Sequence, residues 1–223
     1  MKNHYKILND YLLELQKVKS LEDLDKFLEE ISNSATEVYS CISCKSGCYT
    51  CCTGPSFPPV YSKEWKRIRK YINDKLTDEE KNIIKDRIKN LTDEKSKALE
   101  FVESIVQKKT NLEQLKEKIN DLVNIFKDNV CPLHINGKCS VYEVRPAKCR
   151  AFGNFIFAFN DRTQFLSCAS DIEKMYNYLK QKRTKQLALP YWNSVEMKLE
   201  KIAKDKDDHF DVNIIPLWLR KEI

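Results

Sequence analysis

Residues 77–91 read Thr77-Asp78-Glu79-Glu80-Lys81-Asn82-Ile83-Ile84-Lys85-Asp86-Arg87-Ile88-Lys89-Asn90-Leu91. Ile83, Ile84, Ile88 and Leu91 recur at helical spacing, with charge on the positions between them. Thr77 with Glu80 three residues on forms a capping box, so the helix is expected to open there. Upstream, Trp65, Ile68, Ile72 and Leu76 repeat the pattern behind Ser62, which is placed to cap. Downstream, one stretch carries Leu99, Val102, Ile105 and Val106, and the next carries Leu112, Leu115, Ile119, Leu122 and Phe126. Residues 62–128 therefore read as a helical insertion whose Lys/Glu faces are solvated bundle surface rather than a functional basic patch.

Composition agrees with helix. Only 4 of 223 residues are Gly, which argues against glycine-demanding sheets and barrels. With 42% hydrophobic and 32% charged residues the chain can bury a core. The formal net charge of +6 is too small to argue for nucleic acid by itself.

Outward from the insertion, two helices are expected before residue 40. Tyr5, Leu8, Leu12 and Leu15 mark the first. Ser20 and Asp23 cap a second that carries Leu24, Phe27, Leu28 and Ile31. The N-terminus has no apolar core or cleavage site of a secretory signal, and no apolar run reaches the ~20 residues of a membrane span. A cytoplasmic, reducing location is expected.

Residues 41–60 and 131–170 change character and hold the cysteines. Pro58-Pro59 bars helix from the first segment. In the second, Asn136-Gly137 between Cys131 and Cys139 signals a β-hairpin. Phe155-Ile156-Phe157-Ala158-Phe159 alternates as a strand, and Asn160-Asp161 can turn it back into Gln164-Phe165-Leu166. Helix resumes at Ser170 with Ile172, Tyr176 and Leu179, and again after Pro190. The tail from Phe210 is apolar enough to pack. The whole, residues 1–223, is expected to be a single mainly α domain: a helical bundle with a small cysteine-rich metal centre and one β-hairpin.

The cysteines fall into two groups, Cys44-x3-Cys48-x2-Cys51-Cys52 with Cys41 just ahead, and Cys131, Cys139, Cys149 and Cys168. In a reducing compartment such clustered thiols point to thiophilic metal, as zinc or an iron–sulfur cluster. Zinc sites favour paired C-x2-C knuckles, and only Cys48 and Cys51 have that spacing, so irregular spacing favours iron–sulfur. The Cys44, Cys48, Cys51 spacing also occurs in radical S-adenosylmethionine enzymes, but those need a βα barrel that the helical pattern does not supply. Lys138, Arg145, Lys148 and Arg150 crowd the second group. They would either stabilise an anionic centre or pair with Glu143 and the surface.

These segments resemble the YkgJ-type cysteine-cluster (CxxCxxCC) family. The likeness covers residues 44–52 and 131–153: after Cys44, Cys48, Cys51 and Cys52, the residues Cys131-Pro132, Gly137, Cys139, Tyr142, Arg145-Pro146 and Cys149-Arg150 follow in order. The family is regarded as a zinc- or iron-chelating domain. The resemblance implies that Cys44, Cys48, Cys51, Cys52, Cys131, Cys139, Cys149 and Cys168 are the metal ligands, with Cys41 a bystander. It also implies a relation to flagellin lysine N-methylases of the FliB kind. On that reading the protein is an enzyme using S-adenosylmethionine beside a 4Fe-4S or zinc centre, with a protein substrate such as flagellin. The alternative is a non-catalytic structural or metal-handling zinc or iron protein, since no acid, base or nucleophile constellation stands out beyond the cysteines.

Other motifs weigh less. His134 reads as a solvent-facing hairpin side chain rather than a ligand. The Phe155, Phe157, Phe159 stripe reads as core. Tyr176, Tyr178, Tyr191 and Trp192 form no basic-aromatic module, so no nucleic-acid partner is expected. There is no phosphate loop, G-x-G cluster, G-x-S-x-G or H-E-x-x-H.

Overall fold

The computed structural model describes every residue except 1, 44–49, 54–56, 108, 110, 111, 160, 161, 168, 186, 204–211 and 223. The described residues are mainly helical, with ten helices and three two-stranded sheets. In chain order these are α1 Lys2–Asn9, α2 Tyr11–Lys17, α3 Leu21–Val38, β1 Pro59–Tyr61, α4 Ser62–Lys75, α5 Asp78–Val106, α6 Leu112–Phe126, β2 His134–Ile135, β3 Lys138–Cys139, α7 Ala147–Ala151, β4 Phe155–Phe159, β5 Arg162–Leu166, α8 Ala169–Lys182, α9 Trp192–Ala203, β6 Val212–Ile214 and α10 Ile215–Glu222. No described helix is long and apolar enough to cross a membrane.

The chain divides into two compact units, residues 1–46 with 147–203 and residues 47–146 with 204–223. In the first unit α3 is the hub and contacts α1, α2, α7 and α9. Its capping box forms as expected. Ser20 Oγ accepts from Asp23 N at 3.1 Å while Asp23 Oδ2 accepts from Ser20 N at 3.1 Å. Leu24, Phe27, Leu28, Ile31 and Ala35 form its buried stripe. The helix expected ahead of it is two short ones broken at Asp10, whose backbone leaves the helical conformation at φ −94° and ψ 13°. The break turns Leu8, Tyr11 and Leu15 inward and leaves Tyr5 and Leu12 exposed.

β4 and β5 pair antiparallel, from Phe155 opposite Leu166 to Phe159 opposite Arg162. Phe155 is buried edge-on against Trp192, with ring centroids 6.1 Å apart. Ile156 is buried too, because residues 190–191 cover the outer edge of β4, so the strand does not alternate cleanly. On α8 the buried face runs through Met175 and Leu179, while Tyr176 is exposed. The apolar stripe thus lies one position from the expected Ile172, Tyr176, Leu179 line.

The second unit is built on α4, α5 and the tail. Thr77 caps α5 as expected: Thr77 Oγ1 accepts from Glu80 N at 3.2 Å and Glu80 Oε2 accepts from Thr77 N at 3.0 Å. The cap of α4 falls one residue earlier than Ser62, where the Tyr61 N–H donates to Glu64 Oε2 at 3.1 Å. The two stretches around Ile88 and Leu99 are one helix, kinked at Lys95 with φ −129° and ψ 24°. Lys95 Nζ donates to Ile125 O at 2.8 Å and to Asn129 Oδ1 at 2.6 Å, placing a cation on the carbonyl end of α6.

The tail packs, and it also adds a strand. β1 pairs antiparallel with β6, with Val60 opposite Asn213. Trp65 of α4 stacks on Trp218 of α10, centroids 5.8 Å apart and planes 10° apart, inside a core with Val60, Ile68, Ile72, Ile84, Ile215 and Leu219. A second cluster joins Leu99, Leu122, Phe126, Ile214 and Leu217. The expected single hairpin is therefore one of three small sheets. The β1–β6 pair could not be read locally, because each strand has three residues and its partner is distant in the chain.

Candidate metal centre

The Asn-Gly hairpin forms as its residues dictate. Asn136 and Gly137 take φ of 50° and 77°, the two positive values that a two-residue primed turn needs. This sets His134 opposite Cys139 across β2 and β3. Ser140 N donates to Leu133 O at 2.8 Å and His134 N to Cys131 O at 2.9 Å, so Cys131 and Cys139 are held at the base of one hairpin.

The other cysteine segment docks on that base. Thr50–Cys52 form a 3₁₀ turn. Thr53 makes an antiparallel bridge with Val130, and Cys131 N donates to Cys52 O at 2.7 Å. Two segments far apart in the chain are thereby joined backbone to backbone, the one carrying Cys51 and Cys52 beside the one carrying Cys131 and Cys139. Their thiols act on one another: Cys52 feels the charges of Cys51, Cys131 and Cys139, and Cys131 feels those of Cys139 and Cys51.

Electrostatics divides the four. The Cys52 S–H donates to Cys51, and with the nearby Arg145 guanidinium this lowers the Cys51 thiol to about 7 against the opposing effect of burial. The same bond, together with burial, raises Cys52. Burial pushes the Cys131 thiol up to about 12, while Arg87 pulls in the opposite direction. In metal-free, reduced protein, alkylation of Cys51 by iodoacetamide is expected to rise with a midpoint near pH 7. Cys52→Ala removes the donor and should move that midpoint upward toward an ordinary thiol. Cys52→Ser keeps a hydroxyl donor and should largely retain the low value. Site-resolved mass spectrometry reads all three, and a wild-type midpoint near 9 would contradict the arrangement.

The cations sort differently from their order in the sequence. Arg145 stacks on the Tyr142 ring at 4.0 Å and acts on Cys51, as an anionic centre would want. Arg150 forms an ion pair with Asp25 at 3.0 Å, within the first unit. Lys148, also in that unit, lies over the Trp192 ring at 4.5 Å, and burial lowers its pKa. Arg87 was not expected. It reaches from α5 to donate to the His134 carbonyl oxygen. Its only trace in the sequence is a cation between the inward-facing Ile84 and Ile88.

Cys44, Cys48 and Cys168 fall outside the described residues. Cys149 is half-buried on α7 in the first unit. Cys41 is buried there too, and burial raises its thiol, which suits an inert bystander. His134 is half-buried, not solvent-facing, and lines a groove of about 490 Å³ with Arg87, Asn90, Glu94, Asp128 and Asn136. None of the described cysteines is in a disulfide. Among the described residues no three His, Cys, Asp or Glu side chains stand close enough to hold a metal ion. In comparisons with known proteins, no family model, curated protein or solved structure matches the chain.

Proposed function

We propose that this protein binds a thiophilic metal centre through Cys51, Cys52, Cys131 and Cys139, with an iron–sulfur cluster favoured over zinc. One observation carries the reading: the bond from Cys131 N to Cys52 O and the Thr53–Val130 bridge bring both cysteine segments to one place. The donor set is soft, which suits iron–sulfur or zinc and not a hard oxygen-loving cation. Arg145 and Arg87 supply positive charge that an anionic thiolate centre uses. Closing a site on the Cys51–Cys52 pair draws in a third sulfur, and Cys131 and Cys139 are the described candidates. The irregular spacing of the cysteines places iron–sulfur ahead of zinc.

The test is anaerobic purification of the full chain with metal and sulfide analysis and an absorption spectrum. Iron, acid-labile sulfide and a broad visible band are expected. A colourless protein loaded with zinc would reverse the choice of metal. A protein that emerges with neither, and takes up neither on reconstitution, would overturn the reading.

A further inference from the structure

The β4–β5 ladder leaves one of its two edges open. On β4, Ile156 N donates to Pro190 O at 3.0 Å. Ala158 N donates to Asn193 Oδ1 at 2.9 Å, and Ala158 O accepts from Asn193 Nδ2 at 3.2 Å. Ile156 and Ala158 thus turn their backbone groups away from β5. In an antiparallel pair the inward and outward residues alternate, so Phe155, Phe157 and Phe159 face the ladder. Their partners Leu166, Gln164 and Arg162 face it from the other side. Thr163 and Phe165 are then left with N–H and C=O at the outer edge of β5. Among the described residues nothing bonds to those groups.

The surroundings are also asymmetric. Arg162, Thr163 and Gln164 are exposed. Beside them lies a cavity of about 120 Å³ walled by Ile156, Phe165, Tyr176, Leu179 and Leu187, with Lys185 at its margin. Phe165 and Tyr176 meet edge-on at 5.5 Å, giving it an aromatic wall. Lys180 and Lys182 at the end of α8, and Arg183 and Lys185 just past it, are exposed with no acidic residue among them. An open strand edge is a pairing template, and proteins normally block one with charge, a bulge or a covering loop. Residues 190–193 block the β4 edge; at the β5 edge stand the exposed Arg162 of the strand itself and Lys185 beside the cavity.

We propose that the outer edge of β5, at Thr163 and Phe165, accepts an extended acidic segment of a partner protein as an added strand, with an apolar side chain of that segment in the cavity. Main-chain bonds supply affinity, the cavity supplies selectivity and the cations select the charge. The proposal is independent of the cysteine site.

The probe is a fluorescein-labelled extended peptide of alternating valine and glutamate with a central phenylalanine, titrated against the full chain. The control peptide carries lysine for each glutamate. The acidic peptide is expected to bind at least about tenfold more tightly than the control. It should also slow amide exchange at Thr163 and Phe165. Thr163→Pro removes an outward N–H without touching the ladder, and should weaken binding about tenfold. Lys185→Glu should do the same through charge, and it decides the matter if the proline disturbs the hairpin. Equal binding of both peptides overturns the proposal. So does no acidic-peptide binding up to about 1 mM, or binding unmoved by either variant. A self-dimer in sedimentation that Thr163→Pro abolishes would assign the edge to a second copy and also overturn it.

Discussion

Replacing Cys131 with serine is expected to strip the protein of metal and to loosen the second unit while leaving the first unit unchanged. Cys131 joins the two cysteine segments through its N–H on Cys52 O, and its carbonyl helps to close the hairpin of its own segment. A metal held by sulfurs from both segments would tie residues 51–53 to residues 130–139, and its binding energy would enter the folding energy of everything attached to them. With free metal at about 1,000 times Kd, that linkage is worth about 4 kcal/mol. Chelation should remove the same amount from the wild type. Hydrogen exchange separates the units: amides of β1, β6 and α10 should speed up, and those of α3 and β4 should not. The pH dependence has a definite sign. Near pH 7 Cys51 is about half ionised, whereas Cys52 and Cys131 hold their protons, so a metal that takes all three displaces between about two and three protons. Affinity should then fall about 100- to 1,000-fold per pH unit on acidification, and no more than about tenfold per unit if Cys51 alone is the ligand. Full metal occupancy in Cys131→Ser would remove Cys131 from the ligand set. Unchanged exchange on chelation would show that metal and folding are not coupled.

Serine is a demanding substitution at this position. The oxygen keeps the hydrogen-bonding backbone untouched and changes only the donor atom from soft to hard. A loss of metal without loss of the hairpin would therefore locate the effect at the sulfur.

What the sequence reveals depends on how local the cause is. The caps at Ser20 and Thr77, the Asn136-Gly137 turn and the Phe155 strand are each written within a few residues, and each forms. The β1–β6 ladder is not local. Pro59-Val60-Tyr61 and Val212-Asn213-Ile214 are too short to carry a period, and their pairing depends on α4 packing on β1 and on α5 and α10 packing on β6. The kink at Lys95 has no Pro or Gly to announce it; it sits where a lysine reaches the end of another helix. The shifted stripe on α8 has a similar origin, since Tyr176 packs on Phe165 at the surface while Met175 takes the buried place. In the candidate site the cysteines and Arg145 were legible as chemistry. Arg87 was not, because its use is to a backbone carbonyl that only the fold brings near. Arg150 read the same as Arg145 in the sequence, and Asp25 on α3 decides otherwise.

Trp65→Ala is expected to cost about 3 to 5 kcal/mol of stability. Trp65 is 1% exposed and lies flat against Trp218, so truncation opens a void walled by Trp218, Ile68 and Ile72. The loss is a large share of the ~5–15 kcal/mol that holds a typical domain together. Trp65 also donates through Nε1 to Glu222 Oε2 at 2.9 Å, where Arg69 donates as well at 2.6 Å. Glu222 keeps the Arg69 partner in the variant, so most of the cost is packing rather than a stranded carboxylate. Trp65→Phe separates the two contributions: it keeps the ring in the core, loses the N–H, and should cost less than half as much. Trp218→Ala should resemble Trp65→Ala, with the added loss of its Nε1 bond to Val60 O at 2.9 Å, which ties α10 to β1. Because the two rings are each other's main contact, the double variant should cost about 0.5–3 kcal/mol less than the sum of the singles. Urea denaturation of the four proteins measures this. Met197→Ala, at a side chain 62% exposed, serves as the control and should stay within about 0.5 kcal/mol of wild type. A Trp65→Ala cost below about 1 kcal/mol, or full additivity with Trp218→Ala, would show that the stack does not hold α4 to α10.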